Sequence, residues 1–455
     1  METSEAGASD KGQVLIREFS FSFSLMKVTL HPSNIPNEMR GKSSNVAWAA
    51  RQISSTIIAS TDSSDTLMTI IDADTCLASD YFEAVSSKYV STPSHKRRLQ
   101  LFTPFNIFDR NSSSVPVFVR IFDISWSSAQ LAYLMPNYPF SPALSAYTLP
   151  FDLVREIGFW DRHWGAMAED MHMTFKIIIA TKGRVEYQQI YSPASQCNIV
   201  GNNSGIWSSA KARTIQLKRH NWGGALEFSG VLALKLVKLF GGDTETPTLT
   251  DEFMYNGKRR GVVEKAGDWF HGLLILLFST YHLWEITILS GHCMVVNVMT
   301  AVFVPEFGPA ILNPIAFWWW DSIDTQRLGV PGVVSALKLW VPYVQICVLI
   351  CMLFVAIGYE GTFYWCSSGR WKLNKKRTES SDSEALGVSL LGKRSALFSQ
   401  ERQWYHLFEW ILFPLVAVYF AIVMLYVSLL QIMRGRLDYV VAAKPTVDVV
   451  RVTSI

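Results

Sequence analysis

The sequence Leu67-Met68-Thr69-Ile70-Ile71-Asp72-Ala73-Asp74-Thr75 decides the fold of this chain, because an apolar, β-prone run ends abruptly in two carboxylates. Such a run predicts a buried strand. Ligands gather outside the carboxyl ends of strands in open α/β sheets. Carboxylate oxygens suit Mg²⁺ or Mn²⁺, and these ions also bind substrate phosphates. Asp72 and Asp74 therefore predict a metal-bound diphosphate site, with a solvated turn after a buried strand as the alternative.

Apolar periodicity predicts a mixed α/β pattern on both sides of this strand. Helices are predicted from Arg40 to about Ser55, from Ser79 (as N-cap) to Tyr89, and onward from Ala168, with Glu169 and Asp170 in the first turn. Further strands are predicted at Val14–Leu30, Arg98–Phe105, Val115–Ile121 and 184–191. Residues 140–164 are dense in Pro and aromatic residues, and this composition predicts a pocket wall rather than regular structure.

The composition divides the chain into two halves of different kinds. Of its 455 residues, 49% are hydrophobic and only 17% are charged, which is low for a soluble protein. The apolar excess follows residue 268, and three stretches approach the ~20 residues that cross a bilayer. These are Phe270–Leu289, Trp340–Ile357 and Phe408–Leu430. Cys293–Leu312 contains Pro305 and Pro309 and fits a re-entrant segment as well as a span, so we expect three or four spans.

Basic residues predict the orientation of these spans. Lys258, Arg259, Arg260 and Lys265 precede the first one, which places the N-terminal half in the cytosol. If residues 293–312 are re-entrant, the basic C-terminal tail would lie outside the cytosol, against the same rule. Residues 229–240 predict an amphipathic helix against membrane lipids, and the polar loop 367–403 has a disordered composition.

Several other classes are disfavoured by the sequence. A net charge of +3, without basic runs interleaved with aromatics, does not indicate nucleic-acid binding. The six cysteines show neither zinc-site spacing nor a disulfide framework. The first 11 residues are polar and lack the apolar region of a signal peptide.

Four motifs stand in a characteristic order along the first half of the chain. They are Gly41-Lys42-Ser43-Ser44-Asn45, Asp72-Ala73-Asp74, Glu169-Asp170 and Gln216-Leu217-Lys218-Arg219-His220. In order and spacing they resemble the motifs of the family 2 glycosyltransferases, the group that includes cellulose, chitin and hyaluronan synthases. The resemblance implies an A-type glycosyltransferase domain, with a Rossmann-like mixed sheet, followed by an α-helical transmembrane region.

The resemblance also implies a reaction and its residues. A nucleotide-diphosphate sugar, expected to be UDP-linked, would give its sugar to a glycan acceptor with inversion, and Mg²⁺ or Mn²⁺ would neutralise the leaving diphosphate. Asp74 is the expected metal ligand, with Asp72 on the metal or the ribose. An attacking sugar hydroxyl needs a base, and Asp170, beside Glu169, takes that role by resemblance. The alternative for Asp170 is an acid that stabilises a helix terminus.

The remaining motif residues are expected around the phosphates and the acceptor. Lys42 would meet a phosphate or would be a solvated lysine at a helix start. Gln216 and Arg219 would contact the diphosphate and the acceptor, unless the segment is only a basic stretch at the membrane interface. His220 stands where the synthases carry Trp, and the next aromatic is Trp222, which puts processivity in doubt.

The expected organisation has five parts. Residues 1–40 form a polar leader with partial strands, 41–228 the catalytic domain, 229–268 an interfacial linker, 269–435 the transmembrane region and 436–455 a tail. The first 40 residues are too short for the strands that open the family's domain, so the chain is either a truncated gene model or an inactive relative. A membrane scaffold without catalysis is therefore the main alternative. A transporter, suggested by Glu285 and Glu306 near membrane segments, is a weaker one.

Overall fold

The computed structural model of the protein describes most of residues 1–221 and several shorter segments of the remaining chain. The described residues are 1–36, 38, 40–60, 65–112, 115–135, 138–162, 166, 168–201, 205–221, 249–255, 261–285, 292, 347, 350–366, 404–417, 419 and 424–434. Several predictions fall outside them: Trp222, the interfacial helix 229–240, the stretch 293–312, the loop 367–403 and the tail 436–455. The side chain of Arg219 also lies outside the described part.

A four-stranded mixed sheet organises the described residues. Its strands are β1 (Leu67–Ile71), β2 (Gln100–Ile107), β3 (Ala146–Pro150) and β4 (Glu186–Ser195), in the spatial order β1-β3-β2-β4. β3 runs antiparallel to both β1 and β2, whereas β2 and β4 are parallel. The carboxyl ends of β1, β2 and β4 therefore meet at one edge of the sheet, as the sequence predicts for Asp72 and Asp74.

Helices cover both faces of this sheet, and the short helix α4 (Ser94–Arg97) precedes β2. On one face, α3 (Ser79–Ser91) packs Tyr81, Val85 and Tyr89 against Phe102 and Ile190 of the strands. The other face carries the main core, to which α2 (Lys42–Ser60), α6 (Phe151–Glu156) and α7 (Glu169–Ala180) contribute. The helices predicted from residues 40, 79 and 168 and the strands predicted at 67, 98 and 184 are confirmed. Ser79 is not the N-cap of α3, however, because Ala78 holds that position without a side-chain cap.

The strand predicted at Val115–Ile121 is wrong. Residues Val117–Ala129 form helix α5, which begins directly after Pro116, a residue whose fixed φ suits a helix start. Phe118, Phe122 and Trp126 recur at a spacing of four, and Phe122 packs on Leu217 of helix α8 (Ile206–Asn221). The β-branched residues favour a strand locally, but packing along one helical face outweighs that preference.

Two further predictions are corrected in the same half of the chain. In place of strands over Val14–Leu30, residues Ala8–Phe19 form helix α1, with Gly12 and Ala8 buried. Residues 140–164 contain regular structure after all, since β3 and α6 both lie within them. Aromatic residues there fill the core, and Tyr147 and Trp160 are nearly inaccessible to solvent.

The apolar second half is described in pieces. Helix Val262–Trp284 covers most of the first predicted span, and its Leu276 and Leu283 join the main core. Within the third predicted span, Phe408–Leu430, Val416 and Val427 pack on the cluster of Phe122 and Leu217. In the part of the chain that the structure describes, no helix is long and apolar enough to cross a membrane.

Candidate functional site

The acidic turn (residues 72–75) lies at the carboxyl edge of the sheet and is held by backbone bonds. The Asp72 N–H donates to the Ser145 carbonyl, 3.2 Å away, and the Thr75 N–H donates to the Asp72 carbonyl at 3.0 Å. After the turn, Cys76 exchanges two backbone hydrogen bonds of 2.9 Å with Ser195 at the end of β4. Thr75 also donates to the Gln196 side chain at 2.8 Å. The turn is thereby fixed to two strand ends rather than exposed as a loop.

Lys42 brings the acidic motifs together. Its Nζ lies 2.6 Å from a carboxylate oxygen of Asp72 and 2.6 Å from one of Glu169. Asp170 follows in the first turn of α7, and its carboxylate accepts the Met171 N–H at 2.8 Å. Lys42, Asp72, Glu169 and Asp170, the charged cluster, thus come from three separate elements. Lys42 is not a solvated helix-start lysine, since it bridges two carboxylates.

The pKa values of the charged cluster reflect burial and mutual charge. Burial raises the pKa of Glu169 from 4.5 to about 7, against the opposing effect of Lys42. Burial also raises the pKa of Asp170, while Lys42 and the Met171 N–H lower it. Burial would lower the pKa of Lys42, but Glu169 and Asp72 outweigh it and raise that pKa well above its ordinary value.

The raised pKa of Glu169 has a consequence for stability. The folded protein retains a proton on Glu169 that the unfolded chain has released, in the window between pH 4.5 and about 7. The free energy of unfolding therefore falls as the pH rises through that window, and this contribution is constant above it. Groups whose pKa is shifted in this way are concentrated at functional sites.

Two fully buried aromatic residues, Tyr147 and Trp160, lie next to the charged cluster. Trp160 donates its indole N–H to the Tyr147 hydroxyl at 2.7 Å. Burial raises the pKa of Tyr147 well above its ordinary value, and the charge of Glu169 adds to the shift while Lys42 opposes it. Tyr147 thus stays a neutral phenol next to the carboxylates, and its hydroxyl oxygen accepts the hydrogen bond from Trp160.

A short loop clamps α7 to α2. Lys176 of α7 donates to the Phe159 carbonyl and to the Asp161 carboxylate, both at 2.8 Å, and His172 lies 3.5 Å from the same carboxylate. Burial would raise the pKa of Asp161, but its bonds to His172 and Lys176 lower it overall. Ser43, next to Lys42, donates to the Asp161 carbonyl. The helix that carries Asp170 and the helix that carries Lys42 are therefore held as one unit.

Backbone geometry at two positions supports this clamp. Gly41 has φ of 135°, a value that favours glycine, and places Lys42 at the first position of α2. Phe159 has φ of 65°, which is unusual for a bulky residue, and Arg51 lies over its ring at 5.7 Å. Such strained residues occur often at functional sites.

The residues present fit a divalent cation only in part. Among the described residues, no group of three or more His, Cys, Asp or Glu side chains is arranged to hold a metal ion. Mg²⁺ is commonly bound by one or two carboxylates together with substrate phosphates and water, so a complete protein cage is not required. The oxygen chemistry of Asp72 and Asp74 suits such a site. Lys42 already balances part of the charge of Asp72, which favours Asp74 as the ligand.

The predicted acceptor motif lies on α8 and makes other contacts. Gln216 accepts a hydrogen bond from Arg213 of its own helix, and Arg213 pairs with Asp123 of α5 in a buried ion pair. Burial lowers the pKa of Arg213 to about 9. The ring of His220 meets Trp126 of α5 edge-on, with 6.0 Å between ring centroids. In the described residues, these contacts join α8 to α5 and not to the charged cluster.

Sequence reasoning missed several residues of the site. Tyr147 and Trp160 lie in the aromatic segment whose composition hides a strand, and Asp161 and Lys176 carry no motif. Arg110 donates to the Asp74 carbonyl although 36 residues separate them. The single available signal was the aromatic composition of residues 140–164, which pointed to a pocket wall.

The family of the chain follows from comparison with known proteins. The model of glycosyl transferase family group 2 matches residues 67–443, which is more than half of the chain, and the protein belongs to this family. It is a glycosyltransferase, and the mixed four-stranded α/β sheet fits an A-type domain. No curated protein and no solved structure matches the chain. The matched region includes Asp72, Asp170 and Gln216, whereas Lys42 precedes it.

Proposed function

We propose that the protein transfers a sugar from a UDP-linked donor to a hydroxyl of a glycan acceptor, with inversion and with Mg²⁺ or Mn²⁺. The observation that carries this proposal is the convergence of Lys42, Asp72, Glu169 and Asp170 at the carboxyl edge of the sheet, where open α/β sheets bind ligands. Membership of the family implies a nucleotide-sugar donor and a glycan acceptor. The UDP-linked donor, the divalent metal and the inversion are more specific than what family membership implies.

Asp170 is assigned the role of general base. A sugar hydroxyl is a weak nucleophile, and a carboxylate that takes its proton as the new bond forms lowers the barrier. Burial raises the pKa of Asp170, which brings its proton affinity closer to neutral pH, where base catalysis is most effective. Glu169, the neighbour in the first turn, is paired with Lys42 and serves to hold the lysine. Because Glu169 is occupied by Lys42, Asp170 is the candidate base.

Asp74 and Asp72 are assigned to the metal–diphosphate group. A bound divalent ion would supply positive charge where the leaving diphosphate develops negative charge. Lys42 lies beside Asp72 and is partly exposed, so its ammonium group is placed to meet a phosphate oxygen of the same group. Gln216, Arg219, His220 and Trp222 are assigned to the diphosphate and the acceptor by motif alone.

The assay that tests this function uses the purified full-length protein with Mn²⁺ and a panel of UDP- and GDP-linked sugars. We expect transfer to an oligosaccharide, or slow hydrolysis of one UDP-sugar, and we expect EDTA to abolish both. The matched binding measurement is calorimetry with UDP, with and without Mn²⁺. If no donor is consumed and UDP does not bind in a metal-dependent way, the scaffold without catalysis replaces the enzyme.

We further propose that the protein is integral to a membrane, with the catalytic domain in the cytosol and the membrane lipids as partners. The support is compositional: of the apolar stretches after residue 268, residues 293–312 and the first part of Trp340–Ile357 lie outside the described residues. Basic residues 258–260 precede the first of these stretches. The packing of Val416 and Val427 on α5 and α8 favours fewer spans than four.

Glycosylation in a eukaryotic host tests this orientation. The chain carries sequons at Asn111 and Asn202. Glycans are added in the lumen, so a cytosolic catalytic domain predicts that neither Asn111 nor Asn202 is modified. We expect no glycan at either residue and no release of the protein from membranes by carbonate. A glycan at either residue would show that the catalytic domain faces the lumen.

A further inference from the structure

A buried ion pair joins the C-terminal part of the chain to the catalytic domain. Arg120 of α5 donates from its Nε to both carboxylate oxygens of Glu409, each at 2.9 Å. Both side chains are about 7% exposed, and 289 residues separate them. Glu409 lies in the 3₁₀ helix Trp404–Ile411, and none of the assigned reaction roles uses it.

Arg120 also holds the loop next to it. Its Nη1 donates to the carbonyl of Ser112 and, at 3.0 Å, to that of Val115. Ser112 ends the segment that we name the support loop (residues 109–112). Asp109 and Asn111 of this loop bind Ser195 and Asn198, and the Arg110 N–H donates to the Gln196 carbonyl at 3.3 Å. The support loop is thus fixed to the end of β4.

The support loop in turn reaches the acidic turn. Arg110 donates to the backbone carbonyl of Asp74, the expected metal ligand. Ser195 and Gln196, which the support loop contacts, bind Cys76 and Thr75 on the other side of the same turn. Hydrogen bonds and the backbone of the support loop therefore connect Glu409, through Arg120 and Arg110, to Asp74.

From this connection we infer that Glu409 is a positioning residue for the donor site. It neutralises Arg120 and orients its guanidinium towards the support loop, and the loop then sets the position of Asp74 for the metal–diphosphate group. A buried arginine that loses its carboxylate turns or draws in water, because an unpaired charge is costly in the interior. The inference rests on the proposed function, since it concerns the donor of the same reaction.

The test is Glu409→Gln in the full-length protein, with kinetics and calorimetry. We expect the Mn²⁺ concentration for half-maximal activity and the KM for the donor to rise by about 10-fold or more, as for other residues that orient metal ligands. The kcat at saturating metal and donor should stay within about threefold, because Asp170 and Lys42 are untouched. Metal-dependent UDP binding measured by calorimetry should weaken by the same factor.

The matched control is Asp268→Asn. Asp268 is a buried carboxylate that pairs with the partly exposed Arg184 and accepts the Tyr255 hydroxyl at 2.6 Å, but its described contacts do not lead to the acidic turn. We expect a loss of thermal stability with no change in donor KM or metal requirement. Equal effects of E409Q and D268N on donor KM would overturn the inference and leave only a structural role.

A second variant separates positioning from folding. Replacing both partners, R120M/E409M, removes the buried charges together, and such replacements often preserve stability. The carbonyls of Ser112 and Val115 nevertheless lose their donor, so we expect the same rise in donor KM and metal requirement. If R120M/E409M is stable and binds UDP and Mn²⁺ like the wild type, the inference fails. If the wild type itself is inactive and binds no UDP, the proposed function fails instead.

Discussion

Replacing Asp170 with Asn is expected to lower kcat by about 10²- to 10⁴-fold, the range that general base catalysis contributes. The amide cannot take the proton of the acceptor hydroxyl, whereas its oxygen can still accept the Met171 N–H that Asp170 binds at 2.8 Å. The fold and the acidic turn should therefore be preserved. The measurement is the steady-state kcat of transfer, together with metal-dependent UDP binding by calorimetry, which we expect to be unchanged.

Asp152→Asn is the matched control for this substitution. Asp152 is also an acid in the first turn of a helix, α6, and is more deeply buried, with Arg155 at 3.0 Å. If an acid at this position only stabilises the helix terminus, D170N and D152N should both leave kcat nearly unchanged. A kcat for D170N within threefold of the wild type would remove Asp170 from the mechanism.

Replacing Lys42 with Met is expected to lower the free energy of unfolding by about 3 kcal/mol at pH 8. This is the lower end of the range for a broken buried ion pair, because 24% of the Lys42 side chain and 30% of the Asp72 side chain remain exposed. Without the ammonium group, the carboxylates of Asp72, Glu169 and Asp170 face one another in a largely buried site. The pKa of Glu169, already raised to about 7, should rise further because Lys42 is the charge that lowers it. Urea unfolding at pH 5 and pH 8 measures the effect.

The stability loss of the K42M variant should be larger at pH 8 than at pH 5. At pH 5 Glu169 carries a proton in the folded K42M variant, so fewer negative charges remain and the loss should be much smaller than at pH 8. K42R keeps the charge and should lose less stability at both pH values. The double variant K42M/E169Q removes one of the facing carboxylates and should recover part of the loss at pH 8. Equal losses for K42M at both pH values would mean that Lys42 acts through packing alone.

The predictable part of the fold is the part in which local pattern and tertiary context agree. The run Leu67–Ile71 is a strand by composition and by pairing, and Met171, Phe175 and Ile178 recur at helical spacing along α7. α5 was not predictable in this way. Its first residues, Val117 to Ile121, are mostly β-branched or aromatic and favour a strand. The partners that stabilise the helix, Glu409 for Arg120 and Arg213 for Asp123, lie 90 or more residues away.

The candidate site also has a part that the sequence predicts and a part that it does not. Each acidic motif could be recognised, because a carboxylate at a strand end or a helix start is a local feature. The bridging role of Lys42 could not, since it depends on how three elements separated by 30 and 127 residues converge. Tyr147 and Trp160 were hidden for another reason. Aromatic residues indicate burial but not secondary structure, so β3 could not be read within its Pro-rich surroundings.

The clamp between α7 and α2 has a consequence for hydrolysis of the sugar-nucleotide donor by water. Lys176, His172 and Ser43 fix the helices that carry Asp170, the proposed base, and Lys42 to one loop, so these groups are assembled before any acceptor arrives. A base that is already in place can take a proton from a water molecule as readily as from a sugar hydroxyl. Fidelity must then come from keeping water out of the acceptor pathway. A slow, futile loss of sugar nucleotide in the absence of acceptor is the expected cost of this preassembly.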